Sequence, residues 1–209
     1  ICKKLESRFI SGAFDAVTIG DRIWVLPVAG SGMEFTGWYY NKTMFDELGL
    51  EPPQSYADFL NIAKTVREKK GIEPASYDFK NQYTPGMWFF ETFAQTSGNR
   101  SVDYTKEALA GRRKWTSPEE VEAMRWIKRF YDDGILAKGV LDTEIEGVRA
   151  LYQQQKIAMY YHGDWEWPWI RDNITEFETM VFEFPRIVDD PNVIPQHGGG
   201  TGNGVGLSA

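Results

Sequence analysis

The sequence has little of the chemistry that marks disulfide frameworks, metal sites or membrane spans. Its 209 residues contain one cysteine, Cys2, so no internal disulfide can form. No apolar segment precedes Cys2, so we do not interpret it as a lipid anchor. No apolar run approaches the roughly 20 residues that a membrane helix needs.

Histidine is almost as scarce as cysteine. The only two are His162 and His197, and no two ligand types recur at helical spacing. We therefore expect each to be a structural histidine, with a metal site of two histidines and an aspartate as the alternative. No metal and no cofactor is predicted.

Positive charge is in deficit as well. Lysine and arginine total 23 against 30 acidic residues, which gives a net charge of −7 and a pI near 5.0. Phosphate binding needs clustered lysine and arginine, so a nucleic-acid partner and an anionic membrane surface are disfavoured. The glycine-rich stretch 198–204 lacks the lysine and the following helix of a P-loop, which makes phosphate binding there a weak alternative.

Aromatic residues, by contrast, are abundant. Eight Trp, ten Tyr and thirteen Phe make up 15% of the chain. Such rings either fill a core or line an apolar groove that also forms hydrogen bonds. We expect most of them to be core residues and a few to line a binding groove.

Helical and extended patterns alternate along the chain, which predicts an α/β fold. Ser55 with Asp58 and Ser117 with Glu120 read as helix N-caps, the second pair as a capping box. The stretch 28–37 is glycine-rich, which predicts a mobile segment. The predicted strands are 38–40, 74–79, 156–161 and 180–184, and the predicted helices are 41–48, 55–71, 86–96, 117–131, 143–154 and 164–173.

Three segments carry a family resemblance. The first, residues 37–60, places Tyr-Tyr-Asn-Lys before a short helix, a Pro-Pro linker and a capped helix. The second, 151–167, ends a helix and an Ala-Met strand in Gly-Asp-Trp. The third is the strand-to-helix loop 76–88. In their order along the chain these segments resemble the carbohydrate-binding extracellular solute-binding proteins of ABC importers, of the maltose-binding type.

The resemblance implies a fold and a division of the chain. The fold is a periplasmic-binding-protein-like lobe, helix-rich, with a small central mixed sheet. Residues 1–36 would be a remnant of an N-terminal lobe with the first hinge crossing, 37–195 the C-terminal lobe, and 196–209 the second crossing. We therefore expect the chain to be part of a longer protein whose two lobes close on a ligand.

The resemblance also implies where a ligand would bind. In the family, the Trp of Gly-x-Trp stacks on a sugar ring, a role that falls here on Trp165. We expect Trp167 and Trp169 to pack inside the lobe instead. The full expected ligand-binding set is Trp165, Trp88, Tyr83, Gln82, Asn81, Glu34, Phe35, Asp164, Gly200 and Asn203. For Trp88 the alternative is a place in the core.

The resulting hypothesis is a substrate-binding component of an ABC importer that catalyses nothing. Its partners would be a sugar or oligosaccharide and the membrane permease subunits, and the protein would be an extracytoplasmic monomer. The first alternative is a glycoside hydrolase, for which Glu34, Glu91, Asp164 and Glu166 are available but not visibly paired. The second alternative is a generic α/β interaction domain.

Overall fold

The computed structural model describes residues 9, 13–14, 17–27, 34–81, 83–195, 199–200 and 204–205. The strands are β1 (Thr18–Ile19), β2 (Arg22–Ile23), β3 (Leu26–Pro27), β4 (Glu34–Asn41), β5 (Glu73–Ser76), β6 (Ile157–Gly163), β7 (Thr179–Phe182), β8 (Gly199–Gly200) and β9 (Gly204–Val205). The helices are α1 (Lys42–Leu48), α2 (Tyr56–Lys70), α3 (Thr84–Thr96), α4 (Ser101–Leu109), α5 (Pro118–Asp132), α6 (Ile145–Gln153) and α7 (Trp167–Asn173).

A small mixed sheet organises these elements. Its strand order is β5-β6-β4-β7, and β8 also pairs with β4. The β5–β6 pair is parallel, whereas β4 is antiparallel to β6, β7 and β8. Strand β4 is therefore the central element, and its register fixes what lies beside it at each end.

The two predicted crossing segments pair with each other. Glu34 and Phe35 lie opposite Gly200 and Gly199, and β3 pairs with β9. Residues 34–37 of the first predicted crossing belong to β4, whereas 28–33 lie outside the described residues, so the mobility of the segment stays a prediction.

The sheet is covered on both faces, as its alternating side chains require. On one face Trp38 packs between Tyr161 and Phe182, its register neighbours, and against Phe59 and Phe130. The smaller second core holds Tyr39, Val148, Tyr152, Ile157, Tyr160 and Ile170. Core packing thus accounts for much of the aromatic content.

Trp88 belongs to the larger core around Trp38, and its expected role in ligand binding is wrong. Its side chain is 0% exposed and meets the Trp38 ring edge-on at 5.3 Å. It also stacks on Phe79. Because α3 turns Trp88 inward against the sheet, no ring face remains for a sugar.

The helix caps agree with the sequence in one case and differ in another. Ser55 is the predicted N-cap of α2, and with Asp58 it also forms a capping box, which was predicted only for Ser117 and Glu120. Ser117 precedes α5 as expected, but its side chain makes no capping bond, and Glu120 instead binds Arg113 at 2.6 Å. Helix α4 was missed because Arg100 offers no side-chain cap and only Ser101 is fully buried.

No helix in the part of the chain that the structure describes is long and apolar enough to span a bilayer.

The Trp88 correction can be tested by stability. Trp88→Ala should lower the free energy of unfolding by roughly 3–5 kcal/mol, because it opens a large cavity among packed rings. The matched control, Trp115→Ala, removes an indole that is 47% exposed and should change it by less than about 0.5 kcal/mol. Urea denaturation of the two variants measures both values. Equal effects would contradict the assignment of Trp88 to the core.

Candidate functional site

The candidate site lies where β6 ends beside the start of β4. Thr36 pairs with Gly163, and the Tyr39 hydroxyl donates a hydrogen bond to the Gly163 carbonyl at 2.9 Å. A 3₁₀ turn, Asp164–Glu166, follows and leads directly into α7. These pairings bring Phe35, Asp164 and Trp165 to the same end of the sheet.

Trp165 presents an indole at this end. Its side chain is 38% exposed, and its ring meets the His162 ring edge-on at 5.4 Å. One part of the indole therefore rests on the protein while another part stays open. A ring surface is therefore available for stacking, and the role that sequence resemblance gave to Trp165 stays a prediction.

Gly163 matters for the space that it leaves and not for its backbone conformation. Its φ of −85° and ψ of 167° are extended values that any residue adopts, so no sharp glycine turn is present. A Cβ at this position would instead lie 2.1 Å from Cη2 of Trp165. The glycine therefore provides the space in which the indole lies.

Asp164 precedes α7 but does not cap it, because the N-cap of that helix is Glu166. Asp164 is the first residue of the 3₁₀ turn, and its carboxylate accepts a hydrogen bond from the backbone N–H of Phe35. Partial burial raises the pKa of Asp164, and that hydrogen bond opposes the shift. Asp164 thus ties the turn to β4.

Beneath the exposed indole lies a buried polar cluster that we define as Asp78, His162, Glu166 and Arg149. His162 sits between two carboxylates, with Nε2 4.0 Å from Asp78 and Nδ1 3.6 Å from Glu166. Arg149 binds Glu166 through two hydrogen bonds of 2.8 and 2.7 Å. Helix α6 and the turn after β6 therefore share a neutralised ion pair.

Asp78 and His162 are the poorly satisfied members of this polar cluster. Their side chains are 1% and 3% exposed, and neither imidazole nitrogen has a hydrogen-bond partner. The Asp78 carboxylate has only weak donors, which are its own backbone N–H and the side chains of Asn81 and Thr84, and none of them meets strict hydrogen-bond geometry. Unpaired buried polar atoms cost on the order of 1–3 kcal/mol each, so their concentration here needs a functional reason.

Burial also controls the protonation of this pair. Desolvation raises the pKa of Asp78 to about 7 and lowers the pKa of His162 to about 4. At pH 8 the imidazole is therefore neutral and the carboxylate mostly ionised. His162 does not neutralise Asp78 under those conditions.

The loop between β5 and α3 forms the second side of the site. The Asn81 backbone N–H bonds to the Asp78 carbonyl at 3.2 Å, which folds the loop into a turn. Tyr83 is 55% exposed, and burial together with the nearby charges of Asp78 and Glu166 raises its pKa. Tyr83 and Asn81 thus lie close to the polar cluster, as does Trp165.

Other expected site residues fall in different positions. Phe35 is 42% exposed at the edge where the crossing segments pair. The backbones of Glu34 and Gly200 pair directly in that same ladder. Gln82 and Asn203 lie outside the described residues.

The two later tryptophans differ from each other. Trp169 packs against the second core beneath Arg149, whose guanidinium lies 5.1 Å from its ring centroid. Trp167 is 47% exposed, so the expectation that it would pack inside the lobe is wrong. Trp167 is the first residue of α7, and its ring is not buried there.

Sequence reasoning missed Asp78 and Arg149 and treated Glu166 only as a possible catalytic acid. The available signals were an aspartate two residues after the end of β5 and the spacing of His162 and Glu166 four residues apart. Neither signal reveals burial. Within the described ranges no group of three or more His, Cys, Asp or Glu side chains could hold a metal ion.

An apolar groove of about 660 Å³ lies elsewhere, between α3 and α5. Phe89, Ile127 and Leu136 are among the residues that line it. It offers almost no hydrogen-bonding groups, which a polyhydroxyl ligand needs. We therefore assign the site to the end of β6 and not to this groove.

Comparison with known proteins agrees with this architecture. Residues 3–199 match the family of bacterial extracellular solute-binding proteins. The chain belongs to this family. The sequence is 24% identical to the "Multiple sugar-binding protein" of Streptococcus mutans over 192 residues, which are 91% of this chain and 42% of that protein.

Solved structures of the same type share the fold. A chitin oligosaccharide binding protein matches with a TM-score of 0.81 at 21% identity, over 98% of this chain and 49% of its own. A maltose-bound Thermotoga protein, "T. maritima MalE3", matches with a TM-score of 0.75 at 19% identity, over 95% and 50%. The predicted periplasmic-binding-protein-like lobe is confirmed. The chain spans about half the length of these relatives or less.

The role of Gly163 in this family member can be tested directly. Gly163→Ala should move the Trp165 ring off His162 without unfolding the protein, because the backbone tolerates alanine there and only the exposed indole must shift. The Trp165 indole N–H resonance, identified by its loss in Trp165→Phe, should change position. Gly86→Ala, which adds a Cβ with no neighbour within 4 Å, is the matched control. An unchanged Trp165 resonance in Gly163→Ala would contradict the steric account.

Proposed function

We propose that the chain is part of the substrate-binding component of an ABC importer and binds a sugar or oligosaccharide. The observation that carries the proposal is the open indole of Trp165 above a buried polar cluster, bordered by Tyr83. Membership of the solute-binding family supports it. Relatives named as multiple sugar-binding and diacetylchitobiose binding proteins support the ligand class.

The chemistry of the site suits a sugar. One face of a pyranose ring is a patch of C–H groups, and stacking removes that patch from water at roughly 25 cal/mol per Å². The hydroxyl groups need planar polar partners, and Asn81 and Asp164 offer an amide and a carboxylate at the same rim. Trp165 would take the ring face, and Tyr83 would close the other side.

We infer that the protein is not an enzyme. Of the four carboxylates that a glycosidase could use, two are fully buried and already hold hydrogen bonds within the protein. Glu91 accepts hydrogen bonds from Thr36 at 2.6 Å and Tyr161 at 2.7 Å, and Glu166 binds Arg149. Neither is free to act as a general acid or nucleophile.

The remaining parts of the proposal concern the whole protein. It would work outside the cytoplasm as a monomer and deliver its ligand to membrane permease subunits, with no cofactor and no nucleic-acid partner. Residues 37–195 would form the C-terminal lobe. The segments 28–37 and 196–204 would be hinge crossings, and the antiparallel β3–β9 and β4–β8 pairs support this.

Interlobe binding predicts a difference between this chain and the complete natural polypeptide that carries it. A ligand held between two lobes contacts both, so these 209 residues would supply only one wall. Their affinity for the same sugar should be lower by orders of magnitude. Calorimetric titration of both proteins measures this difference. Equal affinities would mean that the 209 residues are a complete binding domain.

The role of Trp165 predicts a specific loss of affinity. In the complete polypeptide, Trp165→Ala should weaken sugar binding by roughly 2–4 kcal/mol, because a desolvated aromatic contact is removed. Trp115→Ala is the control, since that exposed indole lies outside the site and its loss should leave affinity unchanged. Calorimetry with a sugar panel gives both values. Unchanged affinity in a folded Trp165→Ala variant would refute the assignment.

A further inference from the structure

The charges around the candidate site are unbalanced. The rim and the polar cluster beneath it contain three carboxylates, on Asp78, Asp164 and Glu166, and one guanidinium, on Arg149. Both arms of that guanidinium are bonded to Glu166, which is 0% exposed. The positive charge of Arg149 is therefore already neutralised within the protein.

No other cation among the described residues compensates this excess. Lys80, in the loop that carries Asn81, is exposed and pairs with Glu144 at 2.7 Å. His162 lies next to Asp78 but stays neutral, because burial holds its pKa near 4. The described part of the site therefore has a net negative charge at pH 8.

Asp78 contributes most of the effect that a ligand would feel. Its carboxylate is 1% exposed, and its own backbone N–H and the Asn81 and Thr84 side chains only partly offset the effect of burial. Asp164 is partly exposed and shares its charge with the Phe35 N–H. A buried charge acts across several ångströms, and it needs no direct contact with the ligand.

We propose that this site accepts neutral and amino sugars and rejects acidic sugars such as uronates, with Asp78 supplying the repulsion. The proposal rests on the sugar-binding function proposed above and specifies its ligand class. Hydroxyl and ammonium groups donate hydrogen bonds, which the acceptor oxygens of the site can take. A uronate carboxylate would instead bring a further negative charge toward Asp164 at the rim and toward the buried Asp78, with no unpaired cation among the described residues.

The test uses the complete polypeptide at pH 8 and low salt. Its probes are glucose- and galactose-series trisaccharides in neutral, 2-amino and uronate forms, titrated by calorimetry. The neutral or amino form should bind at least about tenfold more tightly than the matching uronate, as expected for uncompensated charge near the ligand. Raising the salt concentration should reduce only the part of the difference that comes from the partly exposed Asp164, because salt screens a buried charge such as that of Asp78 very little.

Charge removal then identifies the residue responsible. Asp78→Asn should raise the ratio of uronate to neutral affinity by about threefold to tenfold, because the shape is kept and the charge is lost. Asp46→Asn is the control, since that exposed aspartate lies on α1 at the far end of β4 and should leave the ratio unchanged. If Asp78→Asn does not fold, Asp164→Asn should move the ratio in the same direction.

Each outcome decides one part of the account. Uronate binding as tight as, or tighter than, neutral binding would overturn the selectivity. Discrimination that persists unchanged in both Asp78→Asn and Asp164→Asn would overturn the assignment to these carboxylates. Binding of none of the three forms by the folded protein would refute the proposed sugar-binding function itself and the selectivity with it.

Discussion

The antiparallel pairing of β4 with β6 is the constraint on which the rest of this structure depends. It joins residues more than a hundred positions apart, as the hydrogen bond from Tyr39 to Gly163 illustrates. Toward the middle of the strands it sets Trp38 against Tyr161, and the aromatic core is built around that pair. At one end it sets Thr36 against Gly163, and the candidate site is built there.

Each face of this strand pair carries one buried carboxylate, and each of the two accepts hydrogen bonds from neighbouring side chains. Glu91 is held by hydroxyl groups from β4 and β6, and Glu166 is held by Arg149 and by Tyr160 at 3.3 Å. A buried carboxylate is tolerable only when it is paired in this way. Against that background the poorly paired Asp78 is the exception, and exceptions of this kind concentrate at functional sites.

Local signals in the sequence predicted the elements well, because caps and periodicity act over a few residues. The Ser55 cap and the strand before Gly163 are examples. Burial was harder to predict from the sequence, since it depends on strand pairings between residues that are distant in sequence. Trp88, Trp165 and Trp167 are the same type of residue, yet of these three only Trp88 is buried. Asp78 escaped notice for the same reason, as nothing nearby in the chain shows that β6 covers it.

The most direct test of the central claim, that sugar binds at the end of β6, is hydroxyl-radical footprinting of the complete polypeptide with and without saturating sugar. Trp165 and Tyr83 are 38% and 55% exposed and should be oxidised without ligand and protected with it. Trp115, 47% exposed and outside the site, should be oxidised equally in both states. Sugar binding that leaves Trp165 and Tyr83 unprotected would contradict the account.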